Sequence, residues 1–203
     1  MEKTKYSTKQ EIQRLTTAAI LAALAIVIAE FNFPLFPSLP YRLEFADVPI
    51  LVCTALLGPV YGLLSLAASC IVEAVTTAPM DGLIGFCMHF VSSGLMILIV
   101  NYVRKHNEGV KGVIMAAICG IFVKTLAMIP LNIIFIPILY HIPRMAFIND
   151  ELTLCIVFNV VKAAANIVLY SLLAPIIEKE WKKLFKKNKK KAVEVDDNAL
   201  NDK

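Results

Sequence analysis

The sequence predicts an all-α integral membrane protein with six transmembrane helices. Of its 203 residues, 58% are hydrophobic and only 18% are charged, whereas a soluble domain carries about 25% charged residues. Mean hydropathy is +0.70. A surface that faces water needs more charge than this, so a soluble enzyme and a nucleic-acid-binding protein are excluded. Residues 15–100 contain only six formal charges: Glu30, Arg42, Glu44, Asp47, Glu73 and Asp81.

The first three spans are separated by proline and glycine. A hydrocarbon core of about 30 Å needs about 20 helical residues, and the first apolar run covers 15–33. The second begins after Asp47, which we interpret as an N-cap, and it tolerates Pro49 in its first turn. Gly58 and Pro59 end this short run. The third run then covers 60–78.

Turns and charges bound the last three spans. A turn over 78–82 contains Pro79, Asp81 and Gly82, and the fourth run follows over 83–103. It stops at a polar stretch that begins with Arg104. The fifth run covers 112–140 and the sixth covers 152–177.

The distribution of positive charge predicts the orientation. With six spans both termini lie on one side, and that side receives fifteen lysines and arginines up to Lys191. The opposite loops hold only Arg42 and Arg144. The positive-inside rule therefore predicts a plasma-membrane protein with both termini in the cytoplasm. The predicted division is a cytoplasmic segment over 1–14, a membrane domain over 15–178 and a basic, disordered tail over 179–203.

Four formally charged residues fall within the apolar runs: Glu30, Glu73, Lys124 and Lys162. A charge inside a span is costly, so it faces the bundle interior and is a candidate functional residue. Helical geometry brings Glu73, Lys124 and Lys162 near the middle of the membrane. The structural alternative is a Glu73–Lys124 ion pair that only orders the bundle, while Glu30 lies close enough to a helix end to reach the interface.

Polar amides and aromatic side chains add a possible ligand site. Asn132, Asn159 and Asn166 are intramembrane, and amides can also hydrogen-bond between helices without any ligand. Asn159 and Lys162 share one helix face, three residues apart. The loop over 31–41 contains four aromatic residues and three prolines. It is either an aromatic belt at the interface or a semi-rigid lid that stacks on a planar ligand.

Small residues line one face of the first predicted helix, at Ala18, Ala22, Ala25 and Ala29. Stripes of this kind allow helices to approach closely. The stripe therefore packs within the bundle or docks a separate protein.

Five motifs in this order resemble one family over roughly residues 14–175. The chain is similar to the substrate-binding S components of energy-coupling factor (ECF) vitamin transporters, most of all to the riboflavin-specific branch. The resemblance is carried by the alanine-rich first helix and by the segments Phe45-Ala46-Asp47-Val48-Pro49, Leu57-Gly58-Pro59-Val60-Tyr61-Gly62, Pro130-Leu131-Asn132 with Pro137-Ile138-Leu139-Tyr140, and Phe158-Asn159-Val160-Val161-Lys162.

This resemblance implies a membrane subunit that captures a riboflavin-like vitamin from outside. It implies delivery by association with a transmembrane coupling subunit and two ATPases, which alone use ATP, and no bound cofactor or metal. Asn132, Asn159 and Lys162 match flavin-contacting positions, and the alanine stripe matches the docking face for the coupling subunit. The candidate substrate-binding residues are Asn132, Asn159, Lys162, Glu73, Lys124, Phe45 and Tyr41.

Two positions leave the identity of the vitamin open. Riboflavin-type members usually have Lys-Asn where this chain has Glu73-Ala74, and they tend to have Asn in place of His89. An S component for a different vitamin or small metabolite is therefore the main alternative.

Other classes of function have less support. An intramembrane hydrolase would use His89 with Ser92 or Ser93, but no Gly-x-Ser-x-Gly motif or second catalytic partner accompanies them. The sequence has no P-loop, so energy from ATP must come from partner subunits. A facilitator that transports alone remains a further alternative. The five cysteines have no metal-ligand spacing and are interpreted as small buried residues.

Overall fold

A computed structural model describes residues 8–31, 33–34, 42–76, 79–107 and 109–201 as a helical bundle with one two-stranded ladder. The architecture confirms the all-α prediction. The strands are β1 (Phe33–Pro34) and β2 (Arg42–Leu43), paired antiparallel. The helices are α1 (Thr8–Glu30), α2 (Asp47–Leu57), α3 (Pro59–Thr76), α4 (Pro79–His106), α5 (Gly109–Leu139), α6 (Arg144–Ala146) and, after a π-helical turn (Phe147–Glu151), α7 (Leu152–Asn201).

Five stretches of the described residues are long and apolar enough to cross a membrane: α1, α3, α4, α5 and the stretch Arg144–Trp181. The predicted break at Gly58 and Pro59 is confirmed. There the backbone of Gly58 adopts φ +99°, which ends α2 before α3 begins. The second predicted span has 11 residues, so at 1.5 Å per residue it is only about 16 Å long. It is a short interior helix in a bundle of five full-length ones.

Helix α2 lies in the centre of the bundle. Nine of its 11 residues are buried, and it packs against α1, α3, α4 and α7. Ile50 and Leu51 are almost fully enclosed and belong to a core cluster with Leu66, Met96 and Ile167. Because α2 is apolar on all sides, it is stable only when surrounded. Its first residue, Asp47, is therefore placed inside the protein.

The alanine stripe of α1 packs within this chain. Ala18, Ala22 and Ala25 are buried, and the carbonyl oxygen of Ala18 accepts a hydrogen bond from Ser65 Oγ at 3.2 Å. Small side chains let α1 lie close to α2 and α3. Of the two alternatives for the stripe, packing within the bundle is the one that these three alanines follow. Ala19 lies on the exposed face of the same helix.

Helix α7 continues to Asn201, whereas the sequence analysis predicts a disordered tail from residue 179. The difference has a local cause. The Lys-rich run and the following alanine are good helix formers, and they extend a helix that packing has already nucleated.

Candidate ligand-binding site

Glu44, in the segment that leads into α2, is held by α7. The carboxylate of Glu44 accepts a hydrogen bond from Lys162 Nζ at 2.6 Å. Asn166 lies one turn further along α7 and donates to the backbone carbonyl of Glu44 at 2.8 Å. Burial raises the pKa of Glu44, but the positive charges of Lys162 and, next, His89 lower it by more, so the pKa lies below its ordinary value. Glu44 therefore remains ionised at neutral pH.

Asp47, three residues further on, is held by α4 and α5. Its carboxylate pairs with the ammonium group of Lys124 and accepts a hydrogen bond from Ser93 Oγ at 2.8 Å. Lys124 also donates to Ser93 at 2.9 Å. The side chains of Asp47 and Lys124 are 3% and 2% exposed, so both charges need a partner inside the protein, and Asp47 is the carboxylate that compensates Lys124. The N-cap prediction for Asp47 is wrong, because Ala46 holds the cap position and the carboxylate points to this pair.

His89 joins Asp47 to Glu73. Its Nε2 lies 3.1 Å from Asp47 Oδ1, and its Nδ1 lies 3.4 Å from Glu73 Oε2. The predicted Glu73–Lys124 pair is wrong, because α3 and α5 each pack against α4 and Lys124 reaches Asp47 instead. With both ring nitrogens facing carboxylates, an imidazolium satisfies both contacts. The acids Glu44, Asp47 and Glu73 then balance Lys124, Lys162 and this imidazolium, so the cluster has no net charge.

The two lysines differ in how open they are. Lys162 is 16% exposed and its partner Glu44 is 15% exposed, whereas Lys124 is enclosed. Lys162 is therefore the more accessible of the two. Lys124 is better suited to holding α2 in place.

The predicted amide residues lie on the two helices that border this region. Asn132 on α5 and Asn159 on α7 are buried, and each donates to the carbonyl oxygen four residues earlier, at 2.7 and 2.8 Å. Asn166 Oδ1 is buried and accepts no hydrogen bond within the described part of the chain. Asn159, Lys162 and Asn166 follow one another at helical spacing on α7. They present amide and ammonium groups along one face.

The remaining candidates have mixed positions. Phe45 is half-buried and packs against the main core cluster. Tyr41 lies outside the described residues, so the choice between lid and belt for its loop stays a prediction. Phe31 and Phe33 are exposed, and Glu30 is exposed at the end of α1.

Sequence reasoning did not select Glu44 and Asp47 as site residues. One signal was available, because both acids stand within four residues of each other immediately before a buried apolar helix. A buried acid at that position needs a positively charged partner, and the apolar runs contain two lysines. Which lysine meets which acid depends on the rotation of each helix about its axis.

A bundle of apolar helices with paired charges and amides in its interior defines a polytopic membrane protein. Residues 13–178 match the family model described as "ECF transporter, substrate-specific component". The chain belongs to this family, which consists of transporter subunits and not of enzymes. The prediction that the chain is not an enzyme is confirmed. Ser93, which the hydrolase alternative would use, donates a hydrogen bond to Asp47.

Known proteins with similar sequences or structures agree with this assignment. The riboflavin transporter FmnP of Bacillus subtilis (strain 168) is 27% identical over 84% of this chain and 96% of its own length. The riboflavin transporter RibU of Staphylococcus aureus (strain TCH60) is 28% identical over 81% of this chain and 89% of its own. The solved S component of a bacterial ECF transporter superposes with a TM-score of 0.73, at 25% identity, over 85% of this chain and 99% of that one.

A double-mutant cycle tests the buried pair. We expect Lys124→Met and Asp47→Leu each to lower the free energy of unfolding by about 3–5 kcal/mol, because each removes one partner of a buried ion pair. The double variant should lose much less than the sum of the two. Stability is measured by unfolding in detergent, with the exposed pair Glu180–Lys183 as the control, for which single changes should have little effect. Additive losses at Asp47 and Lys124 would contradict the pairing.

Proposed function

We propose that this chain is the riboflavin-binding subunit of an ECF-type vitamin transporter. The observation that carries the proposal is the row of Asn159, Lys162 and Asn166 on α7, in which Lys162 donates to the carboxylate of Glu44 and Asn166 donates to its backbone carbonyl. The similarity to proteins named as riboflavin transporters supports the choice of vitamin.

The chemistry of riboflavin fits these groups. A flavin has flat apolar faces and a rim of carbonyl and ring-nitrogen groups that accept and donate hydrogen bonds. The ammonium of Lys162 and the amides of Asn132 and Asn159 meet the rim, while aromatic side chains such as Phe45 cover a face. Since Lys162 already contacts Glu44, a carbonyl of the ligand shares the ammonium, which has three donors.

The proposed orientation has both termini in the cytoplasm, as the positive-inside rule requires. Riboflavin then enters from the opposite side, next to the loop that precedes Glu44. The proposed partners are a transmembrane coupling subunit and two ATPases that supply the energy.

An S component for a different vitamin is the second candidate. Glu73 and His89 form a contact of 3.4 Å in this chain, at the two positions where the sequence departs from the riboflavin-type pattern. A ligand that reaches α3 meets a carboxylate and an imidazole there. Binding assays with a panel of vitamins distinguish the two candidates.

Removing the polar anchors on α7 should weaken riboflavin binding. A hydrogen bond from a charged donor contributes about 1.5–3 kcal/mol, so Lys162→Ala should raise the Kd by about ten- to hundredfold, and Asn159→Ala should also raise it. The Kd is measured by quenching of flavin fluorescence on the purified protein. Lys179→Ala is the matched control, because Lys179 is exposed on the same helix.

If both variants keep wild-type affinity while helix content and detergent stability are normal, the site lies elsewhere. If the wild type ignores riboflavin and retains another vitamin, the riboflavin assignment is wrong and the transporter-subunit assignment stands.

Docking of the coupling subunit is proposed on the exposed face of α1. Ala19 and Ala23 are exposed small residues, while Ala22 is buried within this chain. We expect Ala23→Trp to leave riboflavin binding intact and to abolish uptake in cells that contain the coupling subunit and the ATPases, because the bulky ring separates the helix backbones. Val168→Trp is the control, since Val168 is exposed on α7. Uptake at the wild-type rate by a stably inserted Ala23→Trp protein would place the interface elsewhere.

A further inference from the structure

A cavity lies at the opposite end of α2 from Asp47. It has a volume of about 310 Å³ and is formed by the last turns of α2 together with α4 and α7. Because α2 ends at Leu57, it does not fill the space between the two longer helices at this end of the bundle. The lining residues are Thr54, Ala55, Leu56, Val100, Asn101, Arg104, Lys105, Tyr170, Glu178 and Trp181.

Arg104 gives this cavity an unsatisfied donor. Its Nη2 donates to Glu178 Oε1 at 2.7 Å. Its Nη1 is buried and has no hydrogen-bond partner among the residues that the structure describes. A buried guanidinium nitrogen without an acceptor is unfavourable, and a guanidinium group suits two oxygen atoms of a phosphate.

The charge of the lining favours an anion. Arg104 and Lys105 bring two positive charges against the one negative charge of Glu178, and Asn101 adds an amide. Lys105 is exposed at the rim, where it can meet a second oxygen of the same group. The volume is near the lower limit of about 300 Å³ for small-molecule pockets, larger than a single phosphate group requires.

The position of the cavity favours a lipid as the source of the phosphate. It is lined by the last turns of α4, next to the basic end of that helix, and by the part of α7 where the membrane-spanning stretch ends at Trp181. This is the level of the headgroups. Tyr102 is exposed beside Asn101, and Trp181 lines the cavity itself. Aromatic residues of this kind occur at the membrane interface, and basic pockets between helices bind the headgroups of anionic lipids.

We propose that this cavity binds the phosphate group of an anionic glycerophospholipid, with Arg104 and Lys105 as the cationic anchors. The site is separate from the vitamin site and does not depend on it. A bound lipid would hold α4 and α7 together at the end where α2 no longer fills the space between them.

Native mass spectrometry of the full-length protein in detergent tests this site. We expect dioleoyl phosphatidylglycerol to bind at least tenfold more tightly than dioleoyl phosphatidylcholine, and Arg104→Gln to remove that preference. Lys105→Gln, a change at an exposed position, should weaken phosphatidylglycerol binding without disturbing the fold. Lys179→Gln is the control, because Lys179 is exposed on α7 and does not line the cavity.

The proposal is overturned if the two lipids bind equally, or if Lys105→Gln and a folded Arg104→Gln protein both bind phosphatidylglycerol as the wild type does. Competition identifies the source of the phosphate. If millimolar inorganic phosphate or glycerol 3-phosphate displaces the lipid from the wild type, the cavity is a site for soluble phosphates and the lipid assignment is wrong.

Discussion

The fold depends on two lysines, one enclosed and one partly exposed, that hold one short segment of chain. Lys124 pairs with Asp47 and Lys162 pairs with Glu44, so α5 and α7 fix both ends of a four-residue stretch. A charge inside the membrane is tolerated only when it is paired, and this requirement determines where the segment lies. Asp47 in the first turn also interacts favourably with the positive end of the α2 dipole. The position of α2 follows from these contacts.

The same contacts determine what lies at each end of α2. Because α2 is short and enclosed, its two ends open into different environments. Beyond its first turn lies the region bordered by Asn159 and by the partly exposed Lys162. Beyond its last turn lies the cavity that contains Arg104. One short interior helix therefore accounts for a proposed vitamin site and a proposed lipid site at opposite ends of the bundle.

Much of the fold could be predicted from the sequence because apolar runs, prolines and glycines are local signals. The break at Gly58, the inward position of Lys124 and the amides of α7 all follow from residue type and spacing. The pairing of charges could not be predicted in this way, since spacing does not give the rotation of one helix relative to another. For the same reason the alanine-rich face of α1 could be recognised, but not the fact that Ala22 faces inward while Ala23 faces outward.

Hydrogen–deuterium exchange over residues 44–51 tests the central claim most directly, because it reports how firmly this segment is held. The backbone amides at the start of α2 should exchange slowly in the wild type. In Asp47→Asn they should exchange at least tenfold faster, while the amides in the middle of α3 and α4 keep wild-type rates. Exchange over 44–51 that stays as slow in a folded Asp47→Asn protein would contradict the account, since the segment would then be held without its charge pair.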